Sequence, residues 1–182
     1  MLFRSHEAGS VTLMDCVRCQ GDWGVSTKTG LGSLCHGLMS ALSVEDCVKL
    51  VTRALDRGSI NWKHLLASVA VTCATDPGSA QHWSLMVTDL LTNAVRAENI
   101  DGLITCLVLM RHVTHVSGDN YSSWFSDLSS EESPHLQSRS ACEFLMSVLV
   151  SLVPEEPVSV IRSHLSVRPA QVGNSEIGRA HV

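Results

Sequence analysis

The sequence has little aromatic content and little charge: 4% of its 182 residues are Phe, Trp or Tyr, and 17% are Asp, Glu, Lys or Arg. With 45% apolar residues, so weakly charged a chain is folded, not disordered. No dense Lys/Arg run occurs and the formal net charge is −5, so charge does not suggest a nucleic-acid groove, and nothing resembles a polybasic membrane patch. The apolar runs Leu65–Ala74, Leu103–Met110 and Phe144–Val153 are too short to cross a bilayer. The opening "MLFRSHEAGSVTLMD" lacks the apolar stretch of a secretion signal. No Asn-Gly hairpin turn and no sustained alternation of apolar and polar residues marks a strand.

Catalytic signatures are missing as well. There is no G-x-S-x-G, P-loop, G-x-G-x-x-G or H-E-x-x-H, and "TKTGLGS" lacks the P-loop order. No local context gathers Ser, His and Asp into a triad. The adjacent acids Glu131/Glu132 and Glu155/Glu156 lie in loop-like stretches and read as solvated pairs. Nothing argues for an enzyme, and no catalytic, cofactor-binding or metal-ligating residue is assigned. His112 and His115 share one helix face without an evident third ligand, and read as the polar edge of a buried helix. Trp62, Trp83 and Trp124 stand at helical spacing and read as core.

Seven cysteines are present, an odd number, most of them inside apolar helical patterns where Cys acts as a small hydrophobe. This usage fits a reducing compartment. Cys16 and Cys19 have the spacing of half a zinc knuckle. Cys35 and His36 do not complete a standard second half, so unremarkable thiols are the preferred reading. A small zinc protein using Cys16, Cys19, Cys35 and His36 is kept as an alternative.

What is present is helix. In "SVEDCVKLVTRALDRG", Ser43 caps a helix with Asp46 three residues on, and Val44, Cys47, Val48, Val51, Ala54 and Leu55 form one stripe. Gly58 takes the position past its end. A second helix is capped by Ser59 or Asn61, buries Trp62, Leu65, Leu66, Val69 and Cys73, and is broken by "DPGS" at 76–79. A third runs from about Ala80 to Ala97 on Trp83, Met86, Val87, Leu90, Leu91 and Val95. Asp101 caps a fourth, apolar nearly all round before Arg111 and ended by Gly118. "NYSSWFSDL" is a short helix or turn, "SSEESPHLQS" a polar loop, and the last strong helix spans about Ser140 to Val153. In "VPEEP", Pro154 stops that helix, Glu155 and Glu156 suit the positive end of the next, and Pro157 suits its first turn.

Residues 43–75 and 80–117 therefore read as two antiparallel helix pairs with short connections. Stacked pairs of this length predict an all-α fold, an α-solenoid of HEAT-like hairpins. Residues 1–30 are poorly defined, 31–169 form the helical segment, and 170–182 are a disordered or artefactual tail in which "IGRAHV" looks like a translated sequencing adapter. Trp62, Leu66, Leu91, Leu107, Leu145 and Leu149 are expected in the core.

The ordered set "LGSLCHGLMSALSVEDCVKLVTRAL", "INWKHLLASVAV", "GLITCLVLMRHVTHVSG", "YSSWF" and "CEFLMSVLVSLVPEEP" resembles the Fanconi anaemia group A family over about Leu31 to Pro169. The family's proline turn carries an aromatic after its first proline, where Glu155 stands here. The resemblance implies an internal fragment of a longer, self-associating helical scaffold. It implies a place in the nuclear Fanconi core complex, a ubiquitin ligase of interstrand cross-link repair whose ligase chemistry resides in another subunit. Partners would be other core-complex subunits, with homo-oligomers of the full-length protein. Location would be the nucleus, with the parent protein also cytoplasmic. Neither a cofactor, nor a membrane, nor direct nucleic-acid binding by this segment is expected. The alternative is a HEAT-like interaction module unrelated to DNA repair.

Overall fold

The computed structural model describes residues 11–19, 30–58, 60–76, 78–130 and 133–166. Among them the protein is all helical, with no strand. The helices are α1 (Leu13–Arg18), α2 (Gly30–Ser40), α3 (Val44–Asp56), α4 (Trp62–Thr75), α5 (Ser79–Arg96), α6 (Ile100–Ser117), α7 (Tyr121–Leu128), α8 (Arg139–Leu152) and α9 (Val158–Leu165).

Local chemistry sets most of these boundaries. Ser43 Oγ accepts from the Asp46 amide and opens α3, and Gly58 beyond its end has φ 73°, a conformation that costs glycine little. Gly118 closes α6 in the left-handed region at φ 80°. Asn61 caps α4 in position only, because its side chain makes no capping hydrogen bond. Asn99, not Asp101, caps α6: its side chain accepts from the Gly102 amide, and Asp101 lies in the first turn. An acid there still meets the positive end of the helix, so the sequence signal was real but two residues late. Pro157 likewise stands at the cap position of α9, one residue before the first turn.

One helix escaped the sequence reading. Thr12 and Asp15 make a reciprocal capping box for α1: the Asp15 amide donates to Thr12 Oγ1 (3.2 Å) and the Thr12 amide to Asp15 Oδ2 (2.9 Å). The helix buries Cys16 and Val17 against α6. The Trp62 amide also donates to the Val11 carbonyl, which ties this segment to the start of α4.

The centre of the molecule is α6. Leu103, Ile104 and every residue from Cys106 to Thr114 are buried. It is enclosed by α1, α4, α5, α7 and α8, with its most extensive contact along α5. Beyond it, α4 packs on α2 and α5 on α3. Contacts between elements two apart in the chain (α2 with α4, α3 with α5, α4 with α6, α6 with α8) build two layers of helices. Trp83 bridges the layers: its Nε1–H donates to Thr72 Oγ1 at 2.9 Å, so a fully enclosed indole keeps its polar handle satisfied. Trp62, Leu66, Leu91, Leu107, Leu145 and Leu149 all lie in the core, while Cys73, Leu90 and Val95 are only partly buried at its margin.

Leu107 is wholly enclosed at the middle of α6. Leu107→Asp is expected to destabilise the protein by several kcal/mol, on the order of 3–5, because an unpaired charge would be buried. Thermal unfolding followed by circular dichroism checks this, and an unchanged midpoint would contradict the central position of α6.

Candidate functional site

The one cation of α6 organises the polar interior. Arg111 sits one helical turn before the end of the buried stretch and is 3% exposed. Its Nη1 donates to Glu156 Oε1 at 3.3 Å, and both side chains are almost fully enclosed. The second oxygen of Glu156 faces His164 Nδ1 at 3.2 Å. A carboxylate only accepts, so Nδ1 carries the proton, and in the neutral ring Nε2 then accepts from Tyr121 O–H at 2.9 Å. Burial pushes the Tyr121 phenol up, which keeps it a donor. The His164 ring also packs on Phe125 (centroids 4.5 Å apart) and on Tyr121 (5.8 Å). Four residues from α6, α7, the α8–α9 turn and α9 thus form one hydrogen-bonded chain.

The network leaves donors over. Arg111 Nε and Nη2 are buried and have no hydrogen-bond partner. Each unsatisfied charged donor costs about 1–3 kcal/mol or more. Arg111 lines a cavity of about 470 Å³ between α1, α4, α6 and α9, together with Cys16, Leu66, Val108 and Val160.

The placement of Glu156 corrects the sequence reading of Glu155/Glu156 as a solvated pair. Glu156 is buried, and Glu155 pairs with Arg18 of α1, whose guanidinium holds the Glu155 carboxyl below its usual value. The signal was available: a lone Arg in an apolar helix requires an acid from elsewhere in the chain.

His112 is also no polar edge. It is buried, and its Nε2–H donates to the Leu66 carbonyl at 2.8 Å, joining α6 to α4. Burial lowers its pKa to about 4. His115, one turn on, is exposed. Cys16 is buried, and desolvation raises its thiol to about 12, which suits a core position better than a thiolate ligand. Cys19 is exposed. The Cys35 side chain lies outside the described residues, as do Glu131 and Glu132. Among the described residues no three His, Cys, Asp or Glu side chains gather as a metal site would require.

A second feature is apolar. Phe125, Leu136, Leu145, Leu149, Ile161 and Leu165 line a groove of about 320 Å³ between α7, α8 and α9. Met146 and Val150 of α8 and Val153 just past its end also line it, and these three and Val158 of α9 are exposed, Val150 by 65%. The other face of α8, through Ala141, Leu145, Val148, Leu149 and Leu152, is buried. The greasy segment that ends at Pro154 is therefore packed on one side and open on the other. No described helix is long and apolar enough to cross a membrane.

Comparison with known proteins gives one finding. The family model described as the Fanconi anaemia group A protein N terminus matches residues 2–175. It takes in residues 2–30, which the motif resemblance left out. No curated protein and no solved structure matches the chain.

Two measurements follow from the polar interior. An unfolded His titrates near 6.5, about 2.5 units above folded His112 at about 4. The unfolded chain therefore takes up the proton first. The stability carried by neutral His112 is complete above about pH 6.5 and is lost as pH falls towards about 4, on the order of 3 kcal/mol in all. Urea midpoints at about pH 7 and 4.5 should differ less in His112→Gln than in the unsubstituted protein. Separately, Arg111→Met alone should cost about 3–5 kcal/mol by stranding Glu156, and the double change Arg111→Met/Glu156→Met should recover most of it. Equal losses in the two variants would mean that Arg111 and Glu156 are not coupled.

Proposed function

The chain belongs to the Fanconi anaemia group A family, and on that premise we propose that it is a non-catalytic helical scaffold segment of the nuclear Fanconi core complex. In this reading it acts by shape in interstrand cross-link repair, while another subunit performs ubiquitin transfer. The observation that carries the proposal is the match over residues 2–175. The architecture supports it. Contacts between alternate helices are what stacked hairpins produce, and the two layers read as a stretch of α-solenoid.

The open face of α8 and α9 supports a role in contact. Exposed Met146, Val150, Val153 and Val158 form an apolar edge beside a groove, the kind of surface that a neighbouring subunit or a further helical pair covers. The partners in this reading are other core-complex subunits and, for the full-length protein, a second copy. The place of action is the nucleus, with the parent protein also found in the cytoplasm.

The test is made in cells of the source organism. Disrupting the gene and adding a DNA cross-linker should abolish the monoubiquitinated form of the complex's clamp substrate, and a full-length copy should restore it. An unchanged signal with normal cross-linker survival would overturn the proposal and leave a helical interaction module of another pathway.

A further inference from the structure

We propose that α9 is a latch: it swings as one unit on Pro157, is held shut by Ser163 and His164, and on release uncovers Phe125 and the groove between α7 and α8. The helix adds little to the core. Val160 is its one buried residue, and α9 alone among the described helices contributes nothing to the continuous apolar core. Ile161 is half-buried, and Leu165 is 77% exposed. Eight residues without a capping side chain do not hold a helix by themselves. What holds α9 is polar and comes from two adjacent residues. Ser163 Oγ accepts from Ser122 Oγ at 2.8 Å, while His164 accepts from Tyr121 O–H at Nε2 and donates to Glu156 from Nδ1. The His164 ring also covers Phe125, with centroids 4.5 Å apart.

The pivot lies next to a fixed turn. The Glu155 and Glu156 amides donate to the Leu152 carbonyl at 2.9 and 3.0 Å, and their carboxylates pair with Arg18 and Arg111. Pro157 follows with extended backbone (φ −58°, ψ 143°) and has no amide hydrogen to bond back to that turn. Opening there strands no charge. Glu156 keeps Arg111 through its other oxygen, and the hydroxyls of Tyr121, Ser122 and Ser163 regain water. The surface uncovered is apolar. Phe125, Leu145 and Leu149 are buried in the closed form, and Ile161, His164 and Leu165 of α9 line the same groove. A segment with few buried apolar contacts opens locally, at a lower free energy than global unfolding. The inference stands on this placement and does not depend on the scaffold reading.

Hydrogen exchange of the full chain, followed by mass spectrometry at increasing sub-denaturing urea, tests it. The α9 amides should be at least about 100-fold less protected than those of α6, with little dependence on urea. Tyr121→Phe and Ser122→Ala each remove one hydroxyl of the clasp and leave the rest of the side chain in place. Each should speed exchange in α9 about threefold to tenfold and leave α4 and α6 unchanged. The double variant Tyr121→Phe/Ser122→Ala should also bind more of the apolar dye anilinonaphthalene sulfonate than the unsubstituted protein, because Phe125 and the groove are uncovered more often. Three results would overturn the proposal. The α9 amides could share the protection and urea dependence of α6; the clasp variants could leave α9 unchanged or speed α6 equally; or the double variant could bind no more dye.

Discussion

A helix that is apolar on nearly every face must be enclosed on every face, and the rest of the structure answers that demand of α6. Eleven of its residues are buried, and α1, α4, α5, α7 and α8 each cover part of its surface. Burying a Leu or Val side chain is worth about 1.5–3 kcal/mol, so a single strip of contact would leave much of this free energy unused. A two-layer arrangement follows because one neighbour cannot reach around a cylinder. The short α1, held by its Thr12–Asp15 box and the Val11–Trp62 backbone bond, closes a side that the larger helices leave open.

Enclosure creates a second constraint, because α6 carries one obligate cation. Arg111 remains charged, and its desolvation is offset only if an acid is delivered into the same interior. The turn between α8 and α9 delivers Glu156. The abrupt stop at Pro154 thereby acquires a purpose beyond ending a helix: it folds the chain back so that one acid faces inward to Arg111 and its neighbour faces Arg18. His164 and Tyr121 extend the chain of hydrogen bonds into α9 and α7. The chain that carries this arrangement belongs to the Fanconi anaemia group A family, and the apolar edge beside it stays exposed.

Much of this was legible before any coordinates. The Ser43 cap, the glycines after α3 and α6, the stripes of α4 and α5 and the all-round apolar character of α6 are local patterns, and local patterns report local structure. The helix α1 was legible too, in "TLMD", but six residues give a weak periodicity and the glycine-rich stretch after them obscured it. That Arg111 needs an acid was legible, but which acid meets it was not. Glu155 and Glu156 are chemically identical neighbours in the sequence, and nothing local says that one is buried and the other is not. His112 and His115 pose the same problem: one turn of helix separates a ring bonded to Leu66 from an exposed one.

The sequence by itself determined that the chain is helical, where most helices start and stop, and which face of each is apolar, because caps, prolines, glycines and side-chain periodicity act within a few residues. The tertiary structure decided which charges meet and which apolar faces remain uncovered. Arg111 and Glu156 are 45 residues apart, and the exposed Met146 and Val150 of α8 are as apolar as the residues that its other face buries. Only the packing of distant helices can choose a partner for the one and a neighbour for the other.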